Sequence, residues 1–225
     1  MYAFASRADA RVVDEPLYAH YLRRTGASHP GREEVLAAQD SDGERVVREL
    51  VLGPCDRPIL FLKQMAHHLV DLDRAFLAQT RNVLLVRDPR EMLPSLARSL
   101  DEPRLADTGL ERQVELLDDL DSRGRAPAVL DARELLLDPQ EVLGELCARL
   151  DIPFDEAMLS WPAGGRSEDG VWARHWYAGV HRSRGFEPYR PPREPFPERL
   201  EPLLERCRPL YARLAERAIR AGGRA

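Results

Sequence analysis

Residues 82–100 read NVLLVRDPREMLPSLARSL. The first five are almost wholly apolar, with no polar alternation, as expected of a parallel strand covered by helices on both faces. Asp88 then suits a helix cap and Pro89 the first helical turn, so a helix is expected to about residue 100. Arg87 therefore leaves the carboxyl end of a strand. Ser95 follows eight residues later, about two helical turns along. Pro94 removes one helix hydrogen bond and can kink the helix beside that serine.

The same strand-then-helix grammar extends outward in both directions. ARVVD (10–14) reads as a strand ending before Pro16, PILFLK (58–63) as an apolar strand, and AVLD (128–131) as a short one. Helices are expected at 17–24, 32–52, 71–79, 110–120 and 140–150, the last capped by Asp138 with Pro139 at its first position. A fragment of helix, 1–7, precedes the first strand. Strands alternating with helices imply an α/β fold, a three-layer parallel sheet flanked by helices. Residues 153–197 are rich in Gly, Pro and aromatics and read as a long loop, lid or acceptor region, and 197–221 as a terminal amphipathic helix.

Composition narrows the function classes. At 225 residues the chain suits one domain, and 44% hydrophobic with 32% charged residues is globular composition. A net charge of −5 offers no general attraction for nucleic acid or an anionic membrane, so any anion site must be local. Three cysteines, widely spaced and without a CxxC pair, indicate neither a disulfide framework nor a zinc site, and a cytoplasmic setting is expected. No apolar run approaches the roughly 20 residues that span a bilayer.

Ligands of open parallel sheets bind beyond the carboxyl ends of the strands. The residues there are Asp14 and Glu15, Lys63 with His67 and His68, Arg87, and Asp131 to Arg133. An arginine fork and a hydroxyl spaced like Arg87 and Ser95 can share one phosphate. The plainer alternative is that Arg87 pairs with a carboxylate and Ser95 is an ordinary surface serine. Adjacent His67 and His68 point to different faces, so at most one faces a site, and no third ligand at usable spacing suggests a metal.

VRDPREMLPS (86–95) resembles the 3′-phosphate-binding segment of sulfotransferases that use 3′-phosphoadenosine 5′-phosphosulfate (PAPS). VVDEPLYAHYLR (12–23), LKQMAHHL (62–69), MLSWPAGGRSEDGVWARHWY (158–177) and the following GF (185–186) together resemble a bacterial sulfotransferase-family group with a P-loop NTPase-like fold. The resemblance implies transfer of a sulfuryl group from PAPS to a small-molecule hydroxyl or amine. It places Arg87 and Ser95 on the 3′-phosphate and Glu15 as the base that takes the acceptor's proton. Lys63 would assist, His67 or His68 would be the alternative base, and Arg182 and Arg184 would contact PAPS. Trp161, Trp172, Trp176 and Tyr177 would line an acceptor pocket, stack on adenine, or simply anchor the loop.

The same resemblance implies an N-terminally truncated chain. Sulfotransferases open with a strand and a loop whose backbone amides cradle the 5′-phosphosulfate, whereas MYAFASR (1–7) is similar to the later part of the helix that follows that loop. A chain without that strand and loop is expected to be poorly stable and to lack catalysis. A non-catalytic remnant binding 3′,5′-ADP or a partner, and a P-loop kinase of a small metabolite, are the rival expectations.

Overall fold

The computed structural model describes residues 1–222. Its strands are β1 (Ala10–Asp14), β2 (Ile59–Lys63), β3 (Val83–Val86), β4 (Ala128–Asp131) and β5 (Ala218–Ile219). Every pairing is parallel, and helices flank the strands, which is the α/β class expected. The strands form two hydrogen-bonded sets, β1-β2 and β3-β4-β5, where a single sheet was expected. No helix of the described residues is long and apolar enough to cross a membrane.

The chain divides into two compact units. The first is Met1–Gln79 with Asp155–Phe186. In it the register sets Asp14 directly opposite Lys63 at the carboxyl end of the β1-β2 pair. The helix Tyr18–Thr25 follows β1 and ends at Gly26, whose φ of 68° closes the last turn through its N–H to the Leu22 carbonyl. That helix buries Tyr18, Ala19 and Leu22 against Val35 and Trp172. All five residues of β2 are only half-buried, so its apolar run does not mark a strand covered on both faces.

The helix expected over 32–52 is broken. Arg32–Ala38 is helical, Gln39 is extended, and Asp42 then accepts from the Arg45 N–H to start Gly43–Val46, which continues as a π-helical turn, Val47–Val51. The break follows from what Gln39 does with its amide. Its Oε1 accepts from the Ala19 N–H at 3.1 Å and its Nε2 donates to the Glu15 carbonyl at 3.1 Å. The side chain therefore holds the turn between β1 and the next helix.

The second unit is Thr80–Phe154 with the residues from Glu187 onward. Asp88 caps the helix Pro89–Leu96 by accepting from the Arg90 N–H at 2.8 Å, and Asp138 caps Pro139–Arg149 in the same way at Glu141, 3.0 Å. Pro94 sits inside the first of these, and the helix stops two residues later, short of residue 100. The helix Glu201–Ala215 packs on Leu110–Ser122, on Pro89–Leu96 and on β4. It ends earlier than the terminal helix expected over 197–221, because the chain turns at 216–217 and adds β5 beside β4. The loop-like stretch 153–197 contains short helices, Ala173–Trp176 and Ala178–Arg182 among them.

Candidate active site

In the first unit, five of the residues singled out in the sequence converge: Asp14, Glu15, Lys63, His68 and Tyr177. In a strand, Glu15 would point to the face opposite Asp14. Instead its backbone turns into the left-handed region, φ 43°, costly for a residue with a β-carbon and held here by several partners. Its N–H donates to the Lys63 carbonyl at 2.7 Å, and its own carbonyl accepts from Tyr18 N–H and from Gln39. Both carboxylates consequently reach the same amine. Lys63 Nζ donates to Glu15 Oε1 and lies 3.6 Å from Asp14 Oδ1.

Around this pair the chain adds an imidazole and a phenol. His68 Nδ1 stands 3.8 Å from Glu15 Oε2, and its ring is stacked between Tyr18 and Tyr21, with centroids 4.8 and 4.9 Å away. Tyr177, on the turn between two short helices, accepts from Lys63 Nζ at 3.0 Å and donates to the Asp14 carboxylate at 2.8 and 2.9 Å. The N–H of Gly170 also donates to Asp14, 3.2 Å. His67 packs edge-on to the Tyr21 ring, centroids 4.9 Å apart, and edge-on to His68 at 4.8 Å, so both adjacent histidines share Tyr21 as a neighbour.

Burial dominates the electrostatics. It pushes the Glu15 carboxyl above its ordinary range even though Lys63 pulls the other way. It pushes His68 down from 6.5 to about 2, with His67 and Lys63 adding to the shift, so this imidazole is neutral and a weak proton acceptor at neutral pH. Burial first, then Asp14, holds the Tyr177 phenol far above its usual value, so it stays protonated and remains a donor. Glu15 beside Lys63 is thus a buried carboxyl whose proton affinity is raised by desolvation and lowered again by the ammonium bonded to it.

Arg182 and Arg184 belong to the same unit and are exposed. Their backbone is fixed by the Trp161 N–H donating to the Arg184 carbonyl at 3.1 Å and by the antiparallel bridge of Ser160 with Gly185. Of the aromatics, Trp172 is core, packed edge-on to Tyr18, while Trp176 is 44% exposed.

Arg87 and Ser95 lie in the second unit. Arg87 emerges from the carboxyl end of β3, exposed, with its Nε 3.6 Å from Glu91 Oε2. Glu91 in turn accepts from the Tyr189 hydroxyl at 2.7 Å. Ser95, one helical turn beyond Glu91 on the same face, is exposed and accepts from Arg98 at 3.2 Å. Glu91, on the stripe between the two, is thus the carboxylate that the plainer alternative called for.

The sequence reading also passed over Asp169. Its Oδ2 accepts from Tyr2, from the Arg166 N–H and from His181 Nε2, at 2.8, 2.9 and 3.0 Å. Nothing in local spacing signals these contacts, or the one between Tyr177 and Asp14. The partners are up to 167 residues apart.

The family described as "Sulfotransferase domain" matches residues 1–218, and the chain belongs to it. Two curated relatives from Arabidopsis thaliana are the branched-chain-amino-acid aminotransferase-like proteins 1 and 2. They are 42% and 39% identical over 187 residues, or 83% of this chain. The chain spans about a third of their length, 34% and 33%. Among solved structures, a sulfotransferase domain from the curacin biosynthetic pathway is similar with a TM-score of 0.46 and 15% identity, covering 84% of this chain and 77% of the other.

Proposed function

We propose that this protein transfers the sulfuryl group of PAPS to a hydroxyl or amine of a small molecule. The observation that carries the reading is Glu15, a buried carboxyl of raised pKa on a strained backbone, bonded to Lys63 at the carboxyl end of a parallel strand pair. A buried carboxyl whose proton affinity is raised above that of an ordinary carboxylate is a stronger base than an exposed one and suits the role of proton acceptor. His68, held neutral with a very low proton affinity, is less suited to that task.

In the proposed reaction the acceptor's oxygen or nitrogen attacks sulfur in line and its proton passes to Glu15. The bond between sulfur and the bridging phosphate oxygen breaks, and that oxygen leaves with the electron pair on 3′,5′-ADP. The Lys63 ammonium is the cation available to offset the negative charge building during transfer. Arg87, an exposed guanidinium at a strand end, and the hydroxyl of Ser95 are proposed to hold the 3′-phosphate, with phosphate replacing Glu91 beside Arg87. Arg182 and Arg184 are proposed as further contacts to the co-substrate.

The test is calorimetric titration of the full-length protein with 3′,5′-ADP and with ATP, followed by incubation with sulfur-35-labelled PAPS and a panel of hydroxyl and amine acceptors. Binding of 3′,5′-ADP and label transfer are expected. Binding of ATP without 3′,5′-ADP would sink the reading, and binding without transfer to any acceptor would leave only a nucleotide-binding protein.

A further inference from the structure

Lys63 is the single lysine among 225 residues, whereas the chain carries 32 arginines. Apart from the histidines and the terminal amine, every other basic group is therefore a guanidinium, which stays protonated and presents a rigid planar fork. The one side-chain ammonium is placed where two carboxylates and a phenol converge, its side chain 28% exposed, and the buried terminal amine of Met1 is near enough to feel its charge. Its surroundings are asymmetric. Glu15 is bonded to it directly, while Asp14 stays 3.6 Å away.

Tyr177 accounts for that asymmetry. Its hydroxyl donates toward both Asp14 oxygens and accepts from Lys63, and its ring lies under the ammonium, 5.3 Å from centroid to Nζ. Gly170 takes a further lone pair of Asp14. A carboxylate so occupied does not close on the amine. Glu15 is left as the direct partner of the Lys63 ammonium, and the phenol oxygen fixes where that ammonium sits.

We propose that Tyr177 is a positioning residue for Lys63, diverting Asp14 so that the ammonium is shared between Glu15 and the reacting group. The inference rests on the sulfuryl-transfer reading for its catalytic consequence, but the positioning itself can be measured without turnover. With one lysine in the chain, limited acetylation by acetic anhydride followed by peptide mass spectrometry reports the reactivity of that one side-chain amine, separable from the terminal amine by peptide.

In Tyr177→Phe the ring and its packing remain, while Asp14 loses its phenol donor and closes on Lys63, so that the nitrogen is engaged by a second carboxylate and less open to acetic anhydride. Acetylation of Lys63 should slow several-fold across pH 7 to 10. For PAPS-dependent transfer, kcat should fall about tenfold with KM for PAPS unchanged, the loss of one hydrogen bond's worth of placement. Superimposable acetylation profiles for wild type and Tyr177→Phe overturn the proposal whatever the transfer assay shows. A slowed profile in a protein that transfers nothing keeps the positioning of Lys63 and removes only the sulfuryl-transfer reading. A slowed profile with unchanged kcat would show that Lys63 placement does not matter to the reaction, and overturns the catalytic half of the proposal.

Discussion

His68 stands with its Nδ1 3.8 Å from Glu15 Oε2, beyond hydrogen-bond reach, although both side chains are buried. An imidazole in that place is neutral because a further positive charge beside Lys63 would have neither water nor a bonded partner.

Stability should therefore depend on pH through this residue. His68 titrates at about 6.5 when unfolded and about 2 when folded. Its folded value is depressed, so below 6.5 the unfolded chain binds a proton that the folded protein refuses. Stability present above 6.5 is lost as pH falls, at up to about 1.4 kcal/mol per pH unit once well below that value. The folded value of Glu15 is raised, so its contribution has the opposite sign and is lost as pH rises through that value. His68→Phe keeps a ring between Tyr18 and Tyr21 and removes the first effect alone. Urea unfolding at pH 5 and pH 7.5 should show a smaller acid loss in the variant than in wild type. Equal losses would mean that His68 is accessible to protons in the folded state.

Glu15→Gln tests the proposed base. The amide keeps shape and an acceptor for Lys63 but cannot take a proton, so kcat of sulfuryl transfer should fall by about 10² to 10⁴. The wild-type rate should rise with pH along a limb lying above the ordinary carboxylate range, because burial raises the Glu15 value. That limb should vanish from the residual activity of the variant. Persistence of the limb in Glu15→Gln would assign it to another group.

How much of this was legible in the chain differs from residue to residue. β1 and β4 were read with their observed bounds because a β-branched run ended before Pro16 and a short apolar run followed the Gly/Pro turn at 124–127. The cluster of Glu15, Lys63 and His68 was accessible because residues following parallel strands share one rim. The break at Gln39 was not, since it depends on a side chain bonding across to Glu15 and Ala19 rather than on its own helix propensity. β5 is two residues long, too short for any periodic signal, and follows a helix whose pattern runs into it. Tyr177 lies 163 positions from Asp14 in the chain, so only the folded structure pairs them.

Arg87 and Glu91 give a pair of variants with opposite signs. Arg87→Ala should weaken 3′,5′-ADP binding by about 2 kcal/mol, within the range for a hydrogen bond to a charged group and below its top because the guanidinium is half-exposed. Glu91→Gln keeps an acceptor for Tyr189 while removing the anion that competes for Arg87, so it should tighten binding a few-fold. Calorimetry on both reads the result. Unchanged affinity in Arg87→Ala would show that the segment 86–95 does not hold the phosphate.

Gly170 couples the core of the first unit to its site. Its N–H serves Asp14, and a β-carbon built on it would fall inside the indole of Trp172. That indole is 2% exposed and packed with Tyr18, so it cannot swing into solvent without opening the cluster that also stacks on His68. Gly170→Ala should therefore destabilise the protein by about 1 to 3 kcal/mol, the usual cost of overpacking a core. The shift should also withdraw one donor from Asp14 and disturb Lys63, so acetylation of Lys63 should change together with the urea midpoint. Loss of stability with an unaltered Lys63 profile would mean that Tyr177 alone governs Asp14 and that the backbone donor is dispensable.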